Sequence, residues 1–208
     1  MSRPIAQERK VVDWGVAAQP IAGEAVCGDM HLVKPFNHGV LLAAIDGIGH
    51  GSAATDAAQA AVAVLEEFAS DSVVSLVKRC HQALIKTRGV ALTVASLSTR
   101  DNTVTWLGVG NVTGLLLRAD DASHSTKNVL LRSGMVGYHL PALHASVMPV
   151  APGDLLIFAT DGIRSDFATT INLHEAPQSL AQRILQRHFK GTDDALVLVV
   201  RYLGTQHE

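Results

Sequence analysis

The chain has 208 residues, 48% of them apolar and 17% charged, with a formal net charge of -2. That length suits one large domain, residues 1–208, and that apolar content excludes global disorder. The near-neutral charge balance lacks the strongly basic footprint of a nucleic-acid binder, and no apolar run is long enough to span a membrane.

In chain order, residues 11–18 read as a first strand, and residues 26–33 as a shorter one with Gly28-Asp29 inside it. Residues 38–45 are a near-continuous apolar run, the pattern of a strand covered on both faces. Residues 52–70 are rich in Ala and Leu at helical spacing, and Ser52 is a suitable N-cap. Asp71 can cap a second helix over 72–87, which carries Val73, Val74, Leu76, Val77, Cys80 and Leu84 mostly on one face. Residues 91–98, 103–109 and 112–118 are strand-like, separated by the turns TRDN and GN. RADDASHSTKN (118–128) is a polar loop, and residues 129–132 and 145–147 form short strands. PVAPGD (149–154) is a turn, with Gly153-Asp154 read as a turn and nothing more. Residues 155–160 form an apolar strand that ends in Asp161-Gly162; residues 176–189 form an amphipathic helix; GTDD (191–194) leads into a last strand over 195–202. Strands in blocks with paired helices, and no regular βαβ alternation, predict an α+β layered sandwich.

The carboxylates carry the chemistry. Asp46 and Asp161 each close an apolar strand and precede a glycine; Asp193-Asp194 open another; Asp29 follows Gly28. If these strands share one sheet system, the carboxylates converge at its rim. Unpaired carboxylates packed together repel one another and are costly to desolvate, and a divalent cation resolves both problems. Oxygen ligands alone favour a hard ion, Mg²⁺ or Mn²⁺, and two such ions can clamp a phosphoryl group for in-line attack. A lone Asp-Gly is usually a turn, and GIGHG (47–51) is also compatible with an anion-binding nest at a helix start. The specific signal is the ordered set.

CGD at 27–29, AIDGIGHGSAA at 44–54, GVGNV at 108–112, PGDLLIFATDGI at 152–163 and GTDDALVLVV at 191–200 follow one another in an order that resembles the type 2C metal-dependent protein phosphatases, more closely their bacterial SpoIIE-like branch. The resemblance implies a four-layer α-β-β-α sandwich with two Mn²⁺ or Mg²⁺ ions at one end, and hydrolysis of phosphoserine or phosphothreonine proteins by water that the metals activate. Asp46 looks like the carboxylate bridging both metals, and Gly47 like a carbonyl ligand. Asp161 and Asp193 look like further ligands of the second ion, and Asp29 like a ligand of the first, direct or through water. Asp194 stands where eukaryotic relatives carry Asn and is read as supporting its neighbour. The His that those relatives place two residues after the bridging Asp is Ile48 here; His50, four residues on, is the candidate catalytic histidine. Their phosphate-binding Arg has no counterpart near Glu24 and Ala25. An acid that some relatives carry four residues after the Asp-Gly aspartate is replaced by Ser165, with Asp166 one further on, which argues against a third metal.

Other residues read as structural. Cys27 and Cys80 are too few for a disulfide framework and fit a reducing cytoplasm. His139 and His144 flank Pro141 but lack a third zinc ligand. The N-terminus has no apolar segment of a signal peptide, and the chain is expected to be little more than a catalytic core. Within the family this resembles the stand-alone feedback phosphatase of the stressosome, which implies phosphorylated STAS-domain proteins of the RsbS and RsbR kind as substrates. The alternatives are a phosphatase of an anti-anti-sigma factor and a non-catalytic phosphate-binding module on the same fold.

Overall fold

The computed structural model describes residues 10–120 and 126–204. Its elements are β1 (Val12–Gln19), β2 (Asp29–Phe36), β3 (Gly39–Gly47), α1 (Ser52–Glu67), α2 (Val73–Leu84), β4 (Val90–Ser98), β5 (Thr103–Val109), β6 (Thr113–Leu117), β7 (Thr126–Asn128), β8 (Leu131–Arg132), β9 (Ser146–Pro149), β10 (Leu155–Ala159), a 3-10 helix (Ser165–Thr170), α3 (Pro177–His188) and β11 (Ala195–Tyr202). One sheet runs β1-β11-β10-β6-β7, the other β2-β3-β4-β5-β8, with β9 on β5.

Strand alternation explains the layering. Along β3, Leu41, Ala43 and Ile45 pack with α1 and α2, while Val40, Leu42 and Ala44 meet the other sheet. Along β11, Leu196, Leu198, Val200 and Tyr202 face that same inter-sheet core, while Ala195, Val197 and Val199 pack under α3. A strand buried on both faces needs apolar residues at every position, so both runs read as unbroken in the sequence. The three apolar clusters are the three interfaces of an α-β-β-α sandwich.

Several local expectations shift. β2 starts at Asp29, so Gly28-Asp29 opens the strand instead of lying inside it. The cause is remote: Asp194 Oδ2 accepts the Gly28 N–H at 2.7 Å and pins the chain just before the ladder begins. Gly51, at φ 74, is the N-cap of α1, and Ser52 is its first helical residue with no side-chain cap. Ser72, not Asp71, caps α2 by accepting the Ser75 N–H. Asp71 instead accepts from Arg79 Nε at 2.9 Å, and that guanidinium also lies 4.1 Å from the Phe68 ring centre. α2 ends at Leu84, where Thr87 donates its hydroxyl to the Leu84 carbonyl at 2.8 Å. Of the loop expected over 118–128, residues 126–128 pair with β6 as β7, and residues 121–125 lie outside the described residues.

Two features stabilise the frame. β1 is an edge strand, and the Gln178 side chain on α3 completes its ladder: Val16 N–H donates to Gln178 Oε1 at 3.1 Å and Gln178 Nε2 donates to the Val16 carbonyl at 2.9 Å. Asp154 is more than a turn residue. It is fully buried and accepts from Arg118 Nη1 at 2.7 Å and from the Ala119 and Ala151 N–H groups at 2.9 Å each. Asp154→Ala strands all three donors, so the expected cost is about 3 kcal/mol, read as a lower urea midpoint with an unchanged slope. A midpoint equal to the parent's would show that this buried hub contributes nothing. Among the described residues, no helix is long and apolar enough to cross a membrane.

Candidate metal centre

The alternation that puts Val40, Leu42 and Ala44 between the sheets puts Asp46 on the same side, at the end of β3. Asp29 is its direct cross-strand partner. On the other sheet, β10 ends and the antiparallel β11 begins at the same rim, so Asp161 and Asp193 arrive from across the inter-sheet space. Like charges directly opposite on paired strands are destabilising, and here more carboxylates add to the first pair.

The electrostatics record the convergence. Burial pushes the Asp46 carboxyl up to about 8, with Asp29, Asp161, Asp193 and Asp194 adding to it in that order. Burial pushes Asp29 up to about 7; the Thr160 hydroxyl pulls it back, and Asp194, Asp161 and Asp193 raise it further. Asp161 is raised by burial and by Asp193, while Lys190 and Asn111 offset part of the shift. Asp29 is 6% exposed, and its Oδ2 has no hydrogen-bond partner. A buried carboxylate oxygen without a donor is costly, and the oxygen-only set around it is the donor chemistry of a hard divalent cation. Among the described residues, no three His, Cys, Asp or Glu side chains are drawn into a ready-made coordination arrangement.

Close backbone approach explains the glycines beside two of the aspartates. A Cβ on Gly47 would stand 2.3 Å from the Ala54 carbonyl oxygen of α1. A Cβ on Gly162 would stand 2.0 Å from the Asp194 carbonyl oxygen. In both places the strand that delivers the carboxylate is pressed against neighbouring backbone, and any side chain would push the site open.

Support comes from residues with no motif of their own. Asn111 Nδ2 donates to Asp161 Oδ2 at 2.8 Å, and Lys190 Nζ donates to the Asp161 carbonyl at 2.5 Å. Asn111 lies in the GVGNV segment, which drew attention only as part of the ordered set; nothing in the sequence around Lys190 singles it out. Asp194 is 2% exposed and accepts the N–H groups of Ile21 at 2.8 Å and Gly28 at 2.7 Å. Its own N–H donates to Asp193 Oδ1 at 2.9 Å. It therefore ties the segment before Asp29 to the start of β11 and fixes its neighbour as well.

Other candidates are placed differently. His50 Nδ1 pairs with Glu24 Oε1 at 2.6 Å, on the exposed side of the glycine loop. Asp166 Oδ1 lies 2.9 Å from Nδ1 of the buried His188 and is engaged there. A cavity of about 400 Å³ opens beside Asp161, lined by Asn111, Thr160, Arg164, Phe167 and Lys190 among others. Burial raises the thiol of the half-buried Cys27 to about 11 and that of the buried Cys80 to about 12, so neither is activated. His144 Nδ1 sits 3.1 Å from the Ala142 carbonyl, in no metal-binding group.

Comparison with known proteins agrees with this geometry. The family model of Stage II sporulation protein E (SpoIIE) matches residues 37–203. Phosphoserine phosphatase RsbX of Bacillus subtilis (strain 168) is 32% identical over 94 residues, which span 45% of this chain and 47% of that protein, about half its length. A solved chain from the bacterial stressosome, described as a modular system adapted to control secondary messenger signalling, is 29% identical with a TM-score of 0.84 over 92% of this chain and 100% of its own. The crystal structure of RsbX in complex with magnesium superimposes with a TM-score of 0.82 at 23% identity, over 94% of this chain and 98% of that one, and so shares the fold. With the family model covering β3 to β11 and the sandwich common to both solved chains, the chain belongs to the SpoIIE family.

Proposed function

We propose that the chain is a metal-dependent phosphoserine/phosphothreonine protein phosphatase of the RsbX kind, acting on phosphorylated STAS-domain proteins similar to RsbS and RsbR as negative feedback in cytoplasmic stress signalling. One observation carries the catalytic part: Asp29, Asp46 and Asp161 meet at one rim, each raised by burial and by at least one other carboxylate there, around a buried carboxylate oxygen that lacks a donor. The likeness to RsbX and to a stressosome chain supports the choice of substrate.

Asp46 would hold both Mg²⁺ or Mn²⁺ ions, the Gly47 carbonyl one of them, Asp161 and Asp193 the second, and Asp29 the first, directly or through water. When bound, such a pair of cations lowers the pKa of water and polarises a phosphoryl oxygen. The protein's own groups prepare the site. Asn111 and Lys190 hold Asp161 in place from its side chain and its carbonyl. Asp194 fixes the approach of Asp29. His50, its ring oriented by Glu24, is the group we assign to protonating the departing seryl oxygen.

The test is release of phosphate from a phosphoserine STAS-domain protein, with Mn²⁺, with Mg²⁺ and with EDTA. Release with either cation, abolished by EDTA and restored by excess cation, is the expected result. Release that survives chelation contradicts the metal mechanism. No release by folded protein from several phosphorylated STAS-domain proteins contradicts the proposed function.

A further inference from the structure

Two divalent cations would do no more than balance the four carboxylates of the rim, so a phosphoryl dianion gains from a further positive group close by. The cations near the rim differ in what they already do. Lys190 is bonded to the Asp161 carbonyl. Arg164 is bonded to the Arg187 carbonyl and lies 3.7 Å from Asp166. Arg88 is different. Among the described residues its guanidinium has no hydrogen bond and no ion pair. It lies over the glycine loop that follows Asp46: its Nη1 stands 2.7 Å from where a Cβ of Gly49 would be, and its Cζ 3.9 Å.

That placement is built from both sides. The Ile48 N–H donates to the Gly89 carbonyl at 3.2 Å, so the residue after Arg88 is tied to the residue before Gly49. Thr87 accepts the Gly89 N–H at 3.0 Å and donates to the Leu84 carbonyl, closing the turn on its other side. Gly89, at φ +78, is pressed against the Val136 carbonyl, 2.7 Å from where its Cβ would be. Gly49, at φ +89, leaves open the space the guanidinium occupies. Backbone on both flanks therefore fixes where Arg88 leaves the chain, and its exposed, unpaired guanidinium lies beside the loop that follows Asp46.

We infer that Arg88 is the phosphate-capturing residue of this site: its planar fork of donors takes the phosphoryl oxygens of a phosphoseryl or phosphothreonyl side chain and adds positive charge beside the loop that follows Asp46. This rests on the phosphatase reading above, and it fills the role for which the sequence around Glu24 and Ala25 offers no arginine.

The experiment compares the full chain with Arg88→Gln and Arg88→Lys. In the Mg²⁺-loaded protein, inorganic phosphate is titrated while the Arg88 side-chain nitrogen resonance is followed, and inhibition of phosphopeptide hydrolysis by phosphate is measured alongside. Binding of Mn²⁺ alone is measured by calorimetry. The wild-type resonance moves on adding phosphate; Arg88→Gln weakens phosphate inhibition and raises KM by roughly 10- to 100-fold, Arg88→Lys falls between, and Mn²⁺ affinity and melting temperature stay the same. Phosphate inhibition and KM within twofold of wild type in Arg88→Gln, or a resonance that phosphate leaves in place, overturns the inference. If the wild-type chain releases no phosphate from any phosphopeptide, the phosphatase reading fails separately, and the phosphate titration still decides whether Arg88 binds the anion.

Discussion

Asp46→Asn is expected to abolish metal-dependent phosphate release and, at the same time, to make the metal-free protein more stable. The two effects have one origin. Asp46 is the carboxylate on which every other acid of the rim acts, and its carboxyl is pushed up to about 8 by burial and by those neighbours. Removing its charge removes the ligand proposed to join both cations, so the loss of rate should reach roughly a thousandfold or more, as for other groups that act as a unit with a metal. Removing the same charge relieves Asp29 and Asp161, which it faces. At pH 8.5 in EDTA the gain should be about 1–2 kcal/mol, seen as a higher melting temperature. Near pH 6 the gain should shrink, because the wild-type carboxyl is then protonated. An Asn variant that is inactive but less stable at pH 8.5 would mean that Asp46 is held by donors and not opposed by neighbours, contrary to the electrostatics of the rim.

The second large effect is on stability as a function of pH. Asp29 and Asp46 have folded-state pKa values of about 7 and about 8 against an ordinary 3.8. Between those limits the metal-free folded protein binds more protons than the unfolded chain. Its stability must therefore fall as pH rises, most steeply below the lower folded-state pKa, more gently as each folded-state pKa is passed, and level off above about pH 8. From pH 5.5 to 8.5 the drop should be about 2–5 kcal/mol in EDTA. Saturating Mg²⁺ or Mn²⁺ should reverse the trend, because cations bind the deprotonated carboxylates and compete less with protons as pH rises. The gap between metal-loaded and metal-free melting temperatures should therefore widen across this range. Asp29→Asn should flatten the metal-free slope. A metal-free profile that rises from pH 5.5 to 8.5, or one that Asp29→Asn leaves unchanged, would count against the buried carboxylate rim.

Much of the frame was legible because it depends on local pattern. The runs that became β3 and β11 read as strands buried on both faces, and that alone calls for layers on either side. Asp46, Asp161 and Asp193 stood out because a carboxylate at the end of such a run has nowhere apolar to go. What the sequence hid depends on partners far along the chain. The start of β2 is set by Asp194, and no feature of residues 26–29 announces it. Asp154 looked like an ordinary turn residue because the Arg118 and Ala119 donors that bury it come from another hairpin. Lys190, Glu24 and Arg88 are single charges in loops, and periodicity has no hold on loops.

The Asp194 clasp also bears on when the site exists. Its bond to Gly28 joins residues 166 positions apart, and β1 finds its ladder partner only in β11. During synthesis Asp29 and Asp46 emerge well before β11, the strand that completes their surroundings. Until then Asp29 has no anchored loop, and Asp46 has no acids from the opposite sheet. A chain still on the ribosome, or clipped before residue 190, therefore presents loose single carboxylates with little hold on a cation. The metal site proposed above is therefore complete only in a molecule where β11 has met β1 and the segment before β2.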